Sequence, residues 1–302
     1  MNHNKILYHF YLKFILLIII LFIFIKIIIY HKFYNLRSFL KIDLIRAKFI
    51  KKNYKFFNDE LPNYNHTHIH LKKIFWCWLQ GEEKAPKLYQ ACLNSVRRNI
   101  KDSEIILITQ ENINKYVHFP PYILQKFNNN QITRTHFSDL LRLELLIKYS
   151  GTWIDASVLL TEFNEIFFNN DLFFFQSFNN KNIAGSSWFL TSERENPILK
   201  STRDLIYEYW RINDHLYNYF LFHYFFKISC DKYFDDFQKV AKFSNEPVHV
   251  LQKKLLQRFS EKEYKEILKN ISVHKLTIIM PNKDDKELFY HYIIKEYMNS
   301  NK

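Results

Sequence analysis

Residues 135–160, THFSDLLRLELLIKYSGTWIDASVLL, constrain the fold of this chain more than any other stretch. They read as an amphipathic helix, a single-glycine stop and a buried strand that carries one carboxylate. Asp139 and Arg142 stand three apart, so a helix sets an acid beside a fixed cation on one face. Gly151 falls where a left-handed helix cap favours glycine, and the whole chain has only three glycines. Trp153, Ile154, Val158, Leu159 and Leu160 then form an apolar strand interrupted by Asp155, Ala156 and Ser157. An acid inside such a strand is costly unless it is paired, hydrogen-bonded or holding a metal, which marks a site rather than a surface. Two plainer readings stay open: an ordinary intrahelical ion pair for Asp139 and Arg142, and a structural strand-end acid for Asp155.

Strand and helix patterns alternate on either side of this stretch. Residues 74–79 read as a strand, with Gln80 and Gly81 in the loop that leaves it. Pro86 opens a helix that runs to Asn99, and residues 104–109 (EIILIT) form a buried strand. Residues 172–178 and 184–191 read as further strands, residues 196–269 as helical, 274–279 as a short strand and 284–298 as a closing helix. Such alternation predicts an α/β fold: a Rossmann-type, mostly parallel sheet with flanking helices and a helical C-terminal part. A chain of 302 residues can bury the core this requires.

The N-terminal part follows other rules. Residues 10–30 are apolar apart from Lys13 and Lys26. The uninterrupted run 14–25 is shorter than the roughly 20 residues that span hydrocarbon, but flanking lysines that snorkel let residues 10–30 reach across. No small-residue cleavage site follows, which argues against a removed signal peptide. Lys32, Arg37, Lys41, Arg46, Lys48, Lys51 and Lys52 follow the apolar run, against Lys5 and Lys13 at its start. The positive-inside rule therefore predicts a single pass with the globular part in the cytoplasm. A buried soluble helix is the alternative.

Residues 34–57 are basic, with helical spacing of their apolar side chains, and would lie against anionic lipid. The net charge of +13, from 43 Lys and Arg against 30 Asp and Glu, favours anionic partners. Its density is highest before Lys55, beside the membrane segment, which weakens the nucleic-acid reading. Three domains are thus expected: an anchor and basic helix over 1–57, a linker over 58–72 that holds Pro62, His66, His68 and His70, and a globular domain over 73–302. Cys77, Cys92 and Cys230 form no CxxC pair and read as buried small hydrophobes.

KIFWCWLQGEEKAPKLYQACLNSVRRN followed by THFSDLLRLELLIKYSGTWIDASVLLT resembles the capsular polysaccharide synthesis family of bacterial glycosyltransferases, relatives of the DxD-motif sugar transferases. NYFLFHYFF, EPVHVLQKKL and HKLT are similar to its later landmarks, so the resemblance runs from about Ile74 to Leu276. It implies a GT-A-like fold and an enzyme that moves a sugar, with retention, from a nucleotide-sugar donor to a lipid-linked or polymer-linked saccharide acceptor. It also implies work at the bacterial inner membrane and a divalent cation, Mn²⁺ or Mg²⁺.

By the same resemblance, Asp139 and Arg142 of an SDxxR pattern that begins at Ser138 contact the donor sugar. Asp155 matches the first acid of the DxD, on the ribose and metal side of the donor. Ser157 stands where the second acid, normally a metal ligand, would be, and a hydroxyl is the poorer ligand. Trp76, Trp78 and Gln80 lie where such folds receive the nucleotide base, and either tryptophan could stack on it or pack in the core. His274 and Lys275 match the late HKLT pattern, from which a basic residue reaches the diphosphate. The alternative from another class is a non-catalytic, membrane-associated polysaccharide-assembly protein with a degenerate fold, for which the Ser157 departure is the support.

Overall fold

The structure is a computed structural model that describes residues 73–277 and 286–298. The expected membrane anchor, basic helix and linker (1–72) lie outside the described residues. Among the described residues no helix is long and apolar enough to cross a membrane.

Five strands make the central sheet, in the order β2-β1-β3-β6-β5: β1 (Lys73–Cys77), β2 (Glu104–Ile108), β3 (Gly151–Ile154), β5 (Leu172–Gln176) and β6 (Gly185–Ser192). β1 pairs in parallel with both β2 and β3, whereas β6 runs antiparallel to β3 and to β5. Four strands therefore share one direction and β6 alone opposes it. The expected mostly parallel sheet holds by strand direction, with antiparallel ladders on both edges of β6. β3, β5 and β6 are buried along their whole length, as strands covered on both faces must be.

The helices follow from the apolar periodicity. α1 (Lys87–Asn99) turns Leu88, Ala91, Cys92 and Leu93 into a core that Trp76 of β1 joins from the sheet. After the short α2 (Ile113–Tyr116) and α3 (Pro121–Asn128) comes α4 (Arg134–Tyr149), whose Thr133 caps it by accepting from the His136 amide. Phe75, on the opposite face of β1 from Trp76, meets Tyr149 of α4, so α1 and α4 cover opposite faces of the sheet. α5 (Glu165–Phe168) precedes β5. The expected helical region resolves into α6 (Pro197–Ile212), α7 (Leu221–Lys232), α8 (Phe234–Lys239), α9 (Val250–Lys254) and α10 (Glu261–Asn270). α11 (Phe289–Met298) closes on α1, where the Asn94 amide donates to the Tyr297 carbonyl.

Two sequence expectations change in ways that build the site. The apolar run after Gly151 is not one strand. Asp155, Ala156 and Ser157 form a turn closed by the Val158 amide on the Asp155 carbonyl at 3.0 Å. The chain then leaves the main sheet, and β4 (Val158–Leu160) pairs antiparallel with β7 (Val273–Lys275) in a sheet of its own. Polar residues that cannot continue a buried ladder thus become the corner between two sheets.

Gly151 has a different task from the one expected. The helix cap is Ser150, which itself takes φ 57°. Gly151 begins β3 at φ 117°, where a β-carbon would stand 2.3 Å from the Lys73 carbonyl oxygen. The obstacle is backbone and cannot swing aside, so Gly151→Ala is expected to cost about 2 kcal/mol or more. Urea or thermal unfolding checks this, and a variant as stable as the parent would contradict the close approach.

Candidate donor site

The turn that ends β3 places Asp155 at the carboxyl end of a strand, where α/β sheets hold ligands. Its backbone stays tied to the sheet, since the Asp155 amide donates to the Trp188 carbonyl of β6 at 2.8 Å. Trp153, two residues earlier on the same strand face, donates its indole N–H to Asp155 Oδ1 at 2.7 Å. From α4, Arg142 Nη2 reaches the same oxygen at 3.3 Å. From β7, Lys275 Nζ reaches Oδ2 at 2.8 Å. One carboxylate therefore collects an indole and two cations from three separate elements.

Arg142 is the hub behind it. The guanidinium contacts Asp139 Oδ1 at 3.1 Å, the Ser138 hydroxyl at 3.1 Å and the Ser138 carbonyl at 3.2 Å, in addition to Asp155. It lies near the rings of Trp153 and Phe222, with centroids at 5.1 and 5.8 Å. Both members of the i,i+3 pair are buried, Arg142 to 3% and Asp139 to 6% exposure. The guanidinium of the pair expected to contact the donor sugar is engaged by these protein groups. Arg142 orients Asp155, and a quarter of the Asp155 side chain (24%) remains open.

Burial and neighbouring charge set the protonation pattern. Burial raises the pKa of Asp155, but the Lys275 and Arg142 cations more than offset this and hold its carboxyl down at about 2. Burial pushes Asp139 up to about 7, with Arg142 pulling the other way and Asp155 adding to the rise. His136 Nδ1 lies 3.7 Å from Asp139 and is held down at about 4, chiefly by burial.

With its folded pKa above the ordinary 3.8, Asp139 holds a proton in the folded state that the unfolded chain has released. Its contribution to stability is complete below about pH 4 and declines as pH rises to about 7. Buried His136, His223 and His274, all with lowered values, slope the opposite way. The effect is therefore read as a difference: Asp139→Asn is expected to gain stability relative to the parent as pH climbs from 4 to 7. Unfolding free energies at several pH values check this, and a difference that stays flat with pH would refute it.

The other expected residues divide between site and core. Ser157 Oγ accepts from Lys275 Nζ at 2.6 Å and so belongs to the site. Trp76 is 1% exposed inside the α1 core, so its ring presents no face to a ligand. Trp78 is half-buried against the same core, edge-on to Tyr89 with ring centroids 5.5 Å apart, and Gln80 is exposed in the loop beyond. His274 is fully buried on β7, near the Thr161 hydroxyl at 3.3 Å, and burial holds it down at about 3. It is a neutral core histidine, and the alternation of β7 sends Lys275 toward Asp155 and His274 away from it. Trp153 escaped the sequence reading, although its i,i+2 spacing from Asp155 was the available signal. Cys77, Cys92 and Cys230 are free thiols, and burial together with the Asp155 charge raises Cys77 to about 12.

The expected metal pair was Asp155 and Ser157. Lys275 Nζ stands between their side-chain oxygens and bonds both. The remaining Asp155 oxygen serves Trp153 and Arg142. Among the described residues no group of three or more His, Cys, Asp or Glu side chains is arranged to hold a metal. This donor set does not fit a divalent cation, whose preferred ligands are several oxygens without a competing ammonium.

A family model described as capsular polysaccharide synthesis protein matches residues 26–293. The chain belongs to that family. The match extends the resemblance toward the N-terminus, into the basic segment. No curated protein matches the chain. Among solved structures it is similar to the PaToxG glycosyltransferase, at 14% identity and TM-score 0.38, covering 54% of this chain and 70% of that one. It is also similar to the apo form of the glycosyltransferase GlyE of Streptococcus pneumoniae, at 10% identity and TM-score 0.42, covering 75% of this chain and 59% of that one. At such similarity the site of this family member is read from its own geometry.

Proposed function

We propose that this member of the capsular polysaccharide synthesis family is a glycosyltransferase. It takes a sugar from a nucleotide-sugar donor and adds it to a lipid-linked or polymer-linked saccharide of a capsular or other surface glycan. The observation that carries this reading is the quarter-open Asp155 at a strand's carboxyl end, backed by Arg142 and flanked by Lys275. Transfer breaks the bond between the sugar's anomeric carbon and the diphosphate, whose oxygen keeps the electron pair. The acceptor hydroxyl bonds to that carbon and releases its proton to water. Fixed cations lower the cost of the charge that develops on the leaving diphosphate. Asp155, ionised throughout the physiological range, faces the donor, and the half-buried Trp78 ring meets the base.

The anchor read over residues 10–30 would hold this chemistry at the cytoplasmic face of the membrane, near a lipid-linked acceptor. A polysaccharide-assembly protein without turnover would keep the fold but would not need a charged cluster with one open carboxylate. Release of nucleoside diphosphate from a panel of nucleotide sugars by the purified full chain tests the proposal. Release from one donor supports it, and neither release nor binding of any donor would sink it.

A further inference from the structure

The expected metal ligands and the residue that bridges them carry one step beyond the transferase reading. Lys275 is not a long side chain that has wandered into the site. It is fixed by β7, whose register sets Lys275 opposite Val158 and His274 opposite Leu159. The Leu276 amide donates to the Ser157 carbonyl at 2.8 Å, which ties the strand to the turn that carries Asp155. Leu276 itself is buried in the α1 core. The Lys275 side chain therefore starts beside Asp155 and Ser157 and needs no rearrangement to meet them. Its ammonium bonds Asp155 Oδ2 at 2.8 Å and Ser157 Oγ at 2.6 Å, and lies 5.8 Å from the centre of the Trp188 ring.

A magnesium ion held by the same two oxygens would sit about 2.0–2.1 Å from each. That point is next to the ammonium nitrogen, and two cations cannot share it. The other Asp155 oxygen is turned away toward Trp153 and Arg142 and is not available as a replacement ligand. Serine in place of a second acid fits the same picture. A carboxylate there would give the ammonium a second full negative charge to neutralise, whereas a hydroxyl accepts one hydrogen bond and leaves the positive charge in force. An ammonium has three donors, and two go to Asp155 and Ser157, which leaves one for an incoming anion. With 18% of its side chain exposed, Lys275 is open to that anion.

We propose that Lys275 takes the place of the divalent cation, so that this chain binds the diphosphate of its donor and releases it without metal. The inference rests on the transferase reading and deepens it at the same site. The departing diphosphate oxygen takes the electron pair of the broken sugar–oxygen bond, and the Lys275 ammonium meets the charge that arrives there.

The test uses the purified full chain, a panel of nucleotide sugars, Mn²⁺ and a chelator. Wild type is expected to release nucleoside diphosphate from its donor equally well with chelator and with Mn²⁺. Mn²⁺ added alone should show no bound fraction by electron paramagnetic resonance. Lys275→Met is expected to lose about 10²-fold or more of the release rate, the scale on which one charge-stabilising donor acts. Release that chelator abolishes and Mn²⁺ restores, or bound Mn²⁺ in the wild type, overturns metal replacement while leaving the transferase standing. Undiminished release by folded Lys275→Met overturns it as well. The wild-type measurements decide the matter even if that variant does not fold. Failure to release or bind any donor under any condition would instead remove the transferase reading, and this inference with it.

Discussion

Arg142→Ala is expected to cost the folded protein about 3–5 kcal/mol, the scale on which breaking a buried ion pair acts. The guanidinium is 3% exposed and serves Asp139, Asp155 and both polar groups of Ser138. Its loss leaves Asp139 buried without a cation and opens space between Trp153 and Phe222. Asp139 would respond by holding its proton more tightly, which limits the penalty. The double variant Arg142→Ala/Asp139→Asn is therefore expected to be less destabilised than the sum of its parts, by about 1 kcal/mol or more. Arg142→Lys should not restore stability, because one ammonium cannot reproduce a planar fork that reaches three residues. Unfolding midpoints of the parent, Arg142→Ala, Asp139→Asn, the double variant and Arg142→Lys measure this, and an Arg142→Ala variant as stable as the parent would contradict the hub.

The second large effect falls on turnover. Asp155→Asn keeps the shape of the side chain and its bond from Trp153, but removes the charge that holds Lys275 and Arg142 in register. Because a quarter of the side chain is open, the stability loss is expected to be smaller than for Arg142→Ala. Donor turnover is expected to fall by about 10²–10³-fold, as when one electrostatic contact to a transition state is lost. A fall in turnover with little change in donor affinity would place the role in the transition state, and loss of both would place it in donor binding. Turnover undiminished in Asp155→Asn would remove Asp155 from the chemistry.

What the sequence made legible was local. The i,i+3 spacing of Asp139 and Arg142 predicts their contact, which the structure places at 3.1 Å, and an acid in an apolar strand predicts a partner, which Asp155 has. Depth was not legible. An amphipathic helix pattern says which face is inward, not that a charged pair on it is sealed from solvent behind Asp155. Nor does a period of two say whether Trp76 ends in core or groove, since both surroundings are apolar. The partners that complete the site are non-local. Lys275 meets Asp155 across 120 residues, through a pairing of β4 with β7 that requires the apolar run to split at the Asp155–Ser157 turn. A run of hydrophobic residues on both sides of that turn reads as one strand until the second sheet is known.

The position of the donor decides the role of this cluster. A crystal structure of the chain with its nucleotide sugar measures this directly. A diphosphate oxygen is expected within about 3 Å of Lys275 Nζ, beside the open edge of Asp155, with Arg142 still bound to Asp139 behind them. A nucleotide seated elsewhere, with the Asp155–Lys275 cluster unchanged, would contradict it.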